Sequence, residues 1–466
     1  MDYVKGADFE SQRAAHYAFH VTAMPHLIGR MSWPREQIDA HRTKSLRNLL
    51  RHAKAHSPWH ARRLAHIDAE RATPADLDDF PVMTKSDLMD NWDEIVTVPG
   101  ATRKGAEAVL REARDQFYIW GDHTLLASGG TGGRPGLFVY DWASMAVNWA
   151  SMSRGMSRSL ARLAVRQFES AGRPYRTAAV VAEQSSHGSY VMGRLFSNPM
   201  NPTKRLSAWR TIEELVPELN ALDPHILVCY PTRVPALAAA AAAGELKISP
   251  HIVFFGSEHL SDGGRQLTQK TWPKADVLTC WATSEGAGSF PCALADGGFH
   301  VSEDLVVLEP VDAAGRPVKP GERSHGVYLT NLFNKAMPII RYHIDDIFEM
   351  DDAPCPCGSA YRKVRQVHGR AFELFHYGSM FVHPLALELA VLEQPSVIEY
   401  QLRQTARGAH LLYRQAGPVD AGRLRLRIAE GFARYGLREP EITVEEVAEL
   451  KRTAVGKLQK FVPLVH

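Results

Sequence analysis

The sequence predicts an α/β protein: a large N-terminal domain of several subdomains, with α/β sheets and a β-rich portion, followed by a small α+β C-terminal domain. Three observations carry this. Short apolar runs at 178–182, 225–230, 251–255 and 275–280 alternate with helix-patterned stretches at 211–222 and 232–243, which is the rhythm of strand and crossover helix. Beyond Gly321 the runs 326–330, 338–342 and 346–350 are strand-like and bounded by turn residues, as in a smaller sheet or barrel. The last ninety or so residues then mix strand runs (398–402, 410–413, 441–447) with one helical pattern at 421–435.

Along the chain, the first hundred residues read as helical and largely solvent-facing. Leu46, Leu49, Leu50 and Ala53 recur at i, i+3, i+4 and i+7 on one face, the period of an amphipathic helix. Thr84-Lys85-Ser86-Asp87 before Leu88 has the spacing of a helix N-terminus. The alanine-rich run reads as helix, ended by Gly244. The 466 residues carry Lys+Arg 54 against Asp+Glu 52, a net charge of +2, so the basic excess of a dedicated nucleic-acid binder is missing. With 45% hydrophobic and 23% charged residues, disordered, collagen-like and coiled-coil chains are also excluded. No run approaches the ~18 apolar residues of a membrane span, and Met1-Asp2-Tyr3-Val4-Lys5-Gly6-Ala7-Asp8 has no basic leader with an apolar core. The expectation is a cytoplasmic protein with no membrane or nucleic-acid partner. Five cysteines are too few for a disulfide scaffold, leaving metal ligation or burial. Cys229 and Cys280 fall in strand-like runs and are expected to be buried.

Chemistry concentrates in a few segments. Ser128-Gly129-Gly130-Thr131-Gly132-Gly133-Arg134-Pro135 sits between strand-like runs at 124–127 and 137–140. Its glycines let successive N–H groups close on an anion while hydroxyls and a cation add donors, a phosphate cradle; the other reading is a flexible hairpin loop. Four more segments follow in order: Gly256-Ser257-Glu258, Trp281-Ala282-Thr283-Ser284-Glu285-Gly286, Ile340-Arg341-Tyr342-His343-Ile344-Asp345-Asp346 and Gly369-Arg370-Ala371-Phe372-Glu373. Lys451-Arg452-Thr453-Ala454-Val455-Gly456-Lys457 closes the set.

Together these resemble the adenylate-forming superfamily of acyl-CoA synthetases, peptide-synthetase adenylation domains and luciferases, and within it the phenylacetate–CoA ligases. The resemblance runs from about Ile38 to the C-terminus and implies an N-terminal domain over 1–370, a hinge at 371–373 and a small mobile lid over 374–466. It implies that Ser128, Gly129, Gly130, Thr131, Gly132 and Gly133 hold the β- and γ-phosphates of ATP, with the Thr131 hydroxyl contributing. It also places Gly256, Ser257, Glu258, Ala282, Thr283 and Ser284 around the nucleotide, Trp281 on adenine in a position usually held by tyrosine, and Glu285 on Mg²⁺. Asp346 would accept from both ribose hydroxyls, with Asp345 beside it where the family has glycine, so either aspartate could serve. Arg370 would lie near ribose and phosphate, and Phe372 replaces the usual hinge aspartate. Lys457 would reach the α-phosphate and the substrate carboxylate, where a cation offsets repulsion between two anions.

Cys292, His300, Cys355 and Cys357 form a second constellation, Cys-x7-His followed by Cys-Pro-Cys-Gly. Three thiolates and an imidazole are the closed set of structural zinc, an arrangement that phenylacetate–CoA ligase relatives resemble; a redox pair or buried thiols are the alternatives. Ser186, His187 and Gly188 match the aryl-side loop for the acyl substrate, with a surface histidine as the other reading of His187. The implied activity is ATP-dependent activation of a carboxylic acid, aromatic by resemblance, as acyl-AMP with release of pyrophosphate, then transfer to a thiol, coenzyme A. The alternatives are transfer to an amine or carrier protein, activation of an unusual acid, or a nonenzymatic adenylate-binding scaffold.

Overall fold

The computed structural model describes residues 7–112, 118–128, 135–169, 175–181, 188–197, 203–208, 210–256, 258, 260, 262–286, 288–292, 298–351, 353–370, 375–378, 380–382, 387, 390–391, 393–394, 396–433, 436–451 and 458–464, and only the backbone of 7, 110–112, 165–169, 189, 232, 366, 368–370 and 381. The fold is mixed α/β, as the pattern predicts. The chain divides into two compact units, one built from Met1–Val165, Glu183–Met200 and Thr279–Gln366, the other from Arg166–Ala182, Asn201–Leu278 and Val367–His466.

In the first unit, strands β1 (Thr124–Ala127) and β2 (Leu137–Tyr140) pair antiparallel in full register from Thr124↔Tyr140 to Ala127↔Leu137. All eight residues are buried, so the strands that flank the glycine loop in sequence are fixed in the core. The second unit contains the parallel strands β3 (Thr177–Val181), β4 (Thr203–Ser207), β5 (Ile226–Cys229), β6 (Ile252–Phe255) and β7 (Asp276–Thr279), in the order β4-β3-β5-β6-β7. Val180, Leu227, Val253 and Phe255 are 0% exposed, as expected of strands covered on both faces. The helix Ile212–Leu222 opens with Thr211 and Glu214 in a reciprocal capping box, and Gly244 follows the alanine-rich helix Val234–Ala242.

The β-rich part of the first unit holds β8 (Ser289–Pro291), β9 (Phe299–Val301), β10 (Val306–Val311), β11 (Gly326–Asn331), β12 (Tyr342–Ile344), β13 (Asp346–Asp351) and the first half of β14 (Lys363–Arg370), which crosses into the second unit at Val367. They form two sheets, β10-β11-β12 and β13-β14-β9-β8. In the second unit, β15 (Phe375–Tyr377) pairs β16 (Met380–Val382), and β17 (Val397–Thr405), β18 (Gly408–Gln415), β19 (Glu441–Glu446) and β20 (Phe461–Val462) form a sheet ordered β19-β18-β17-β20. The helix Ala421–Ala433 packs Leu424, Ile428 and Phe432 into the same core as Leu402 and Leu411.

One expectation needs correction and another is refined. Most positions of the helical front are exposed or part-buried, while the face marked by the period is core: Leu46, Leu49, Leu50 and Ala53 of the helix Arg35–His56 are 0% exposed and share a core with Val307, Leu332 and Ile340. A buried leucine stripe is worth roughly 1.5–3 kcal/mol per side chain, so this face is structural core. The strand expected at 338–342 is shifted to Tyr342–Ile344, because Arg341 takes φ +53 and breaks the extended run. Its guanidinium donates to the carbonyls of Asp78 and Phe80 (2.9 and 2.6 Å) and to Glu309 Oε1 (3.1 Å), anchoring the segment that leads into β13. Among the described residues no helix is long and apolar enough to cross a membrane.

Candidate functional site

The segment 281–286 follows β7 and turns back toward β8. Trp281 donates its indole N–H to Asp346 Oδ2 at 3.2 Å, both residues being buried, and its ring meets Phe348 edge-on with centroids 4.9 Å apart. Two motif residues 65 positions apart are thereby joined. The main-chain N–H of Trp281 is held by Ser289 Oγ (2.7 Å), which fixes the ring's origin. Asp346 opens β13, whereas Asp345 just before it is half exposed beside His343. Of the two neighbouring aspartates, Asp346 is the one integrated with Trp281.

Glu285 is also buried, at 8% exposure. Its loop is fastened to both strands of the glycine-loop hairpin. The Tyr140 hydroxyl donates to the Ser284 carbonyl (2.8 Å) and the Ser284 hydroxyl to the Ala127 carbonyl (3.2 Å). Thr283 Oγ1 is buried and makes no hydrogen bond among the described residues, an orphaned polar atom of the kind a polar ligand satisfies. At the neck of the glycine loop, Ser128 Oγ accepts from the Gly136 N–H (2.8 Å) and the Ser128 N–H donates to the Gly136 carbonyl (2.9 Å). The Ser128 hydroxyl therefore closes the loop's base.

The remaining expected residues divide as follows. Gly188 opens the helix Gly188–Leu195 in the first unit. Gly256 and Glu258 lie just past β6 in the second unit. The backbone of Arg370 ends β14. Gly129, Gly130, Thr131, Gly132, Gly133, Ser186, His187, Ser257, Phe372 and Lys457 lie outside the described residues. Tyr140 and Asn331, which fasten the Glu285 loop, belong to no motif singled out in the sequence. Their partners are main-chain carbonyls distant along the chain, and no local pattern announces such bonds.

The four residues of the second constellation do converge. Cys292, His300, Cys355 and Cys357 bring their ligand atoms within 4.8 Å of one another. The β8–β9 hairpin, paired Phe290↔His300, supplies Cys292 and His300, and the turn before β14 supplies the two others. Cys292 Sγ lies 3.5 Å from Cys355 Sγ, and Cys357 Sγ lies 3.3 Å from His300 Nε2. A tetrahedral ion with sulfur at ~2.3 Å has ligand edges of about 3.8 Å, close to these separations. His300 Nδ1 is 2.9 Å from the Tyr361 carbonyl, so Nδ1–H donates there and Nε2 faces the sulfurs, the orienting bond that a ligating imidazole needs. Burial opposes ionisation of Cys357, yet the Ser359 N–H and the Cys355 and Cys292 thiols outweigh it and lower its pKa. Cys229 and Cys280 are the contrast: burial pushes each thiol up to about 12, which makes them inert core residues.

No family model matches the chain. It is 23% identical over 425 residues to a phenylacetate-coenzyme A ligase of Thermus thermophilus, covering 89% of this chain and 86% of that one. It is 24% identical over 386 residues to the phenylacetate-coenzyme A ligase of Escherichia coli, covering 80% of each. Among solved structures, 2-hydroxyisobutyryl-CoA ligase in the postadenylation state with 2-HIB-AMP matches with a TM-score of 0.69 at 18% identity, covering 93% of this chain and 91% of that one. An anthranilate CoA ligase in complex with anthranoyl-AMP matches with a TM-score of 0.52 at 17% identity, over 72% and 65% of the two chains.

Proposed function

We propose, from the premise that this chain is a member of the adenylate-forming superfamily resembling the phenylacetate–CoA ligases, that it is an AMP-forming acid–thiol ligase acting on an aromatic carboxylic acid and coenzyme A. The observation that carries the reading is the bond from Trp281 to Asp346. The residues expected at adenine and at ribose are side by side and buried, as one nucleoside-binding wall requires. Trp281 offers its ring face to the base. Asp346, with one oxygen oriented by the indole, receives the ribose hydroxyls.

The glycine loop 128–135 wraps the β- and γ-phosphates, and Glu285 with the Thr283 hydroxyl faces the same phosphates. Glu285 fits Mg²⁺, since that ion is held by one or two carboxylates together with phosphate oxygens; when bound it spreads the charge of the leaving pyrophosphate. A carboxylate oxygen of the acid attacks the α-phosphorus, the bond to the β-phosphate bridging oxygen breaks, and pyrophosphate departs. Lys457 offsets the repulsion between the two anions in that step. The coenzyme A thiol, giving up its proton, then attacks the acyl carbon, and AMP leaves with the electrons of the acyl–oxygen bond. Gly188, Ser186 and His187 border the acyl group, and Arg370 lies at the turn into the C-terminal portion. Support for an aromatic acid is the shared name of the curated relatives.

The Cys292, His300, Cys355 and Cys357 set holds Zn²⁺. Its chemistry is structural, because four protein ligands leave no position for water or substrate.

Product analysis tests the activity. With Mg²⁺, ATP, coenzyme A and a panel of arylacetic, benzoic and small hydroxy acids, one acid should yield acyl-CoA, AMP and pyrophosphate in equal amounts. An acyl-amine or acyl-carrier product formed in place of the thioester would move the chain to another acceptor class. ADP and phosphate as products would contradict adenylation.

A further inference from the structure

The loop carrying Glu285 is gripped from two sides by fully buried side chains. Tyr140, the last residue of β2, donates to the Ser284 carbonyl at 2.8 Å, and Asn331, the last of β11, donates Nδ2 to the Glu285 carbonyl at 2.9 Å. Both residues are 0% exposed. Asn331 is itself locked: its Oδ1 accepts from the N–H groups of Phe333 (3.1 Å) and Asn334 (3.0 Å), and Asn334 donates in turn to the Val139 carbonyl in β2 (2.9 Å). Burial, with the nearby charge of Glu285, holds the Tyr140 phenol well above its ordinary pKa, so it stays a donor. Gly286 sits at φ +87, and a Cβ there would come 2.2 Å from Asn331 Nδ2 and 2.5 Å from the Tyr140 hydroxyl. Grip and loop are thus fitted to each other at van der Waals contact.

We propose that Tyr140 and Asn331 are positioning residues that fix the Glu285 carboxylate relative to strands β1 and β2, and thereby set affinity for the Mg²⁺ complex of ATP rather than for the nucleotide itself. The proposal rests on the reading of Glu285 as the Mg²⁺-facing carboxylate. Mg²⁺ demands near-ideal octahedral geometry at ~2.0–2.1 Å, so a carboxylate on an irregular loop is useful only if the loop is held at that precision. The grip acts on main-chain carbonyls, so neither donor competes with the cation for the carboxylate. It also runs through β2, so the phosphate-holding hairpin and the metal-facing loop move as one piece.

Isothermal titration of ATP into the full chain, with and without Mg²⁺, tests this in the wild type, Tyr140→Phe and Asn331→Leu. Tyr140→Phe keeps the ring and removes one donor; melting curves establish that each variant is folded. The expected result is an at least ~10-fold loss of the Mg²⁺-dependent part of ATP affinity in a folded variant, with metal-free ATP binding unchanged. In acid-dependent exchange of pyrophosphate into ATP, the Mg²⁺ concentration for half-maximal rate should rise while KM for the acid stays fixed. Parallel loss of metal-free and Mg²⁺-dependent binding, or no loss in either variant, overturns the positioning role. Wild-type protein that binds Mg²⁺·ATP with the expected variant pattern but exchanges no pyrophosphate would sink the ligase reading and leave the positioning role standing. Failure of the wild type to bind ATP would overturn both.

Discussion

At the scale of single residues, the two neighbouring aspartates carry a sharp distinction. Asp346 is 6% exposed and receives the Trp281 indole N–H, whereas Asp345 has a half-exposed side chain beside His343. A carboxylate bonded to both ribose hydroxyls loses only part of its binding when one hydroxyl is missing, and its removal abolishes the distinction. Asp346→Ala is therefore expected to raise KM for ATP and to erase the preference for ATP over 2′-deoxy-ATP, while Asp345→Ala keeps that preference. Competition between the two nucleotides, measured for each variant, checks it. Full discrimination by Asp346→Ala with loss in Asp345→Ala would reverse the assignment.

At the scale of elements, the Cys/His cluster joins the β8–β9 hairpin to the turn before β14, two pieces that share one four-stranded sheet with β13. Chelation or Cys355→Ser should lower the thermal midpoint before it alters rate constants per folded molecule; metal analysis finding no zinc in protein purified without chelator would contradict this. A second element-level feature is His60, 0% exposed in the helix Pro58–Arg63 with Nε2 3.0 Å from the Pro338 carbonyl. Burial, then the charge of Arg63, lowers its pKa to about 3. The folded protein keeps the imidazole neutral while the unfolded chain protonates it below ~6.5, so this stability is complete above that pH and drains away as the pH falls. Between pH 6 and 5 the His60 share amounts to about 1 kcal/mol, and denaturant titrations of His60→Gln should show a shallower acid limb by that amount; an unchanged limb would contradict the buried neutral imidazole. The elements were unevenly legible. Strands such as Thr124–Ala127 and Ile252–Phe255 could be read because short apolar runs are bounded by polar turns, and the convergence of the Cys/His set because those residue types share one chemistry. The run before Tyr342 misled because Arg341 is bent by bonds to carbonyls some 260 residues away, and Tyr140 and Asn331 were invisible because their partners are main-chain atoms 144 and 46 residues distant.

At the scale of the whole molecule, the resemblance and the fold converge. Weak motifs in a fixed order pointed to adenylate-forming ligases, and the chain matches a CoA ligase structure over 93% of its length with a TM-score of 0.69. Within the first unit, the strands β1 and β2, the Glu285 loop and the β13 aspartate are tied together by hydrogen bonds between buried and part-buried groups, the kind of preorganisation that the proposed adenylation would draw on. In the proposed reaction the protein makes an acyl adenylate reversibly. The direct measurement is exchange of labelled pyrophosphate into ATP, with Mg²⁺ present and coenzyme A absent. Exchange should appear only when the right carboxylic acid is added, without any thiol. Exchange that requires coenzyme A, or none with any acid in folded, zinc-replete protein that binds Mg²⁺·ATP, would contradict it.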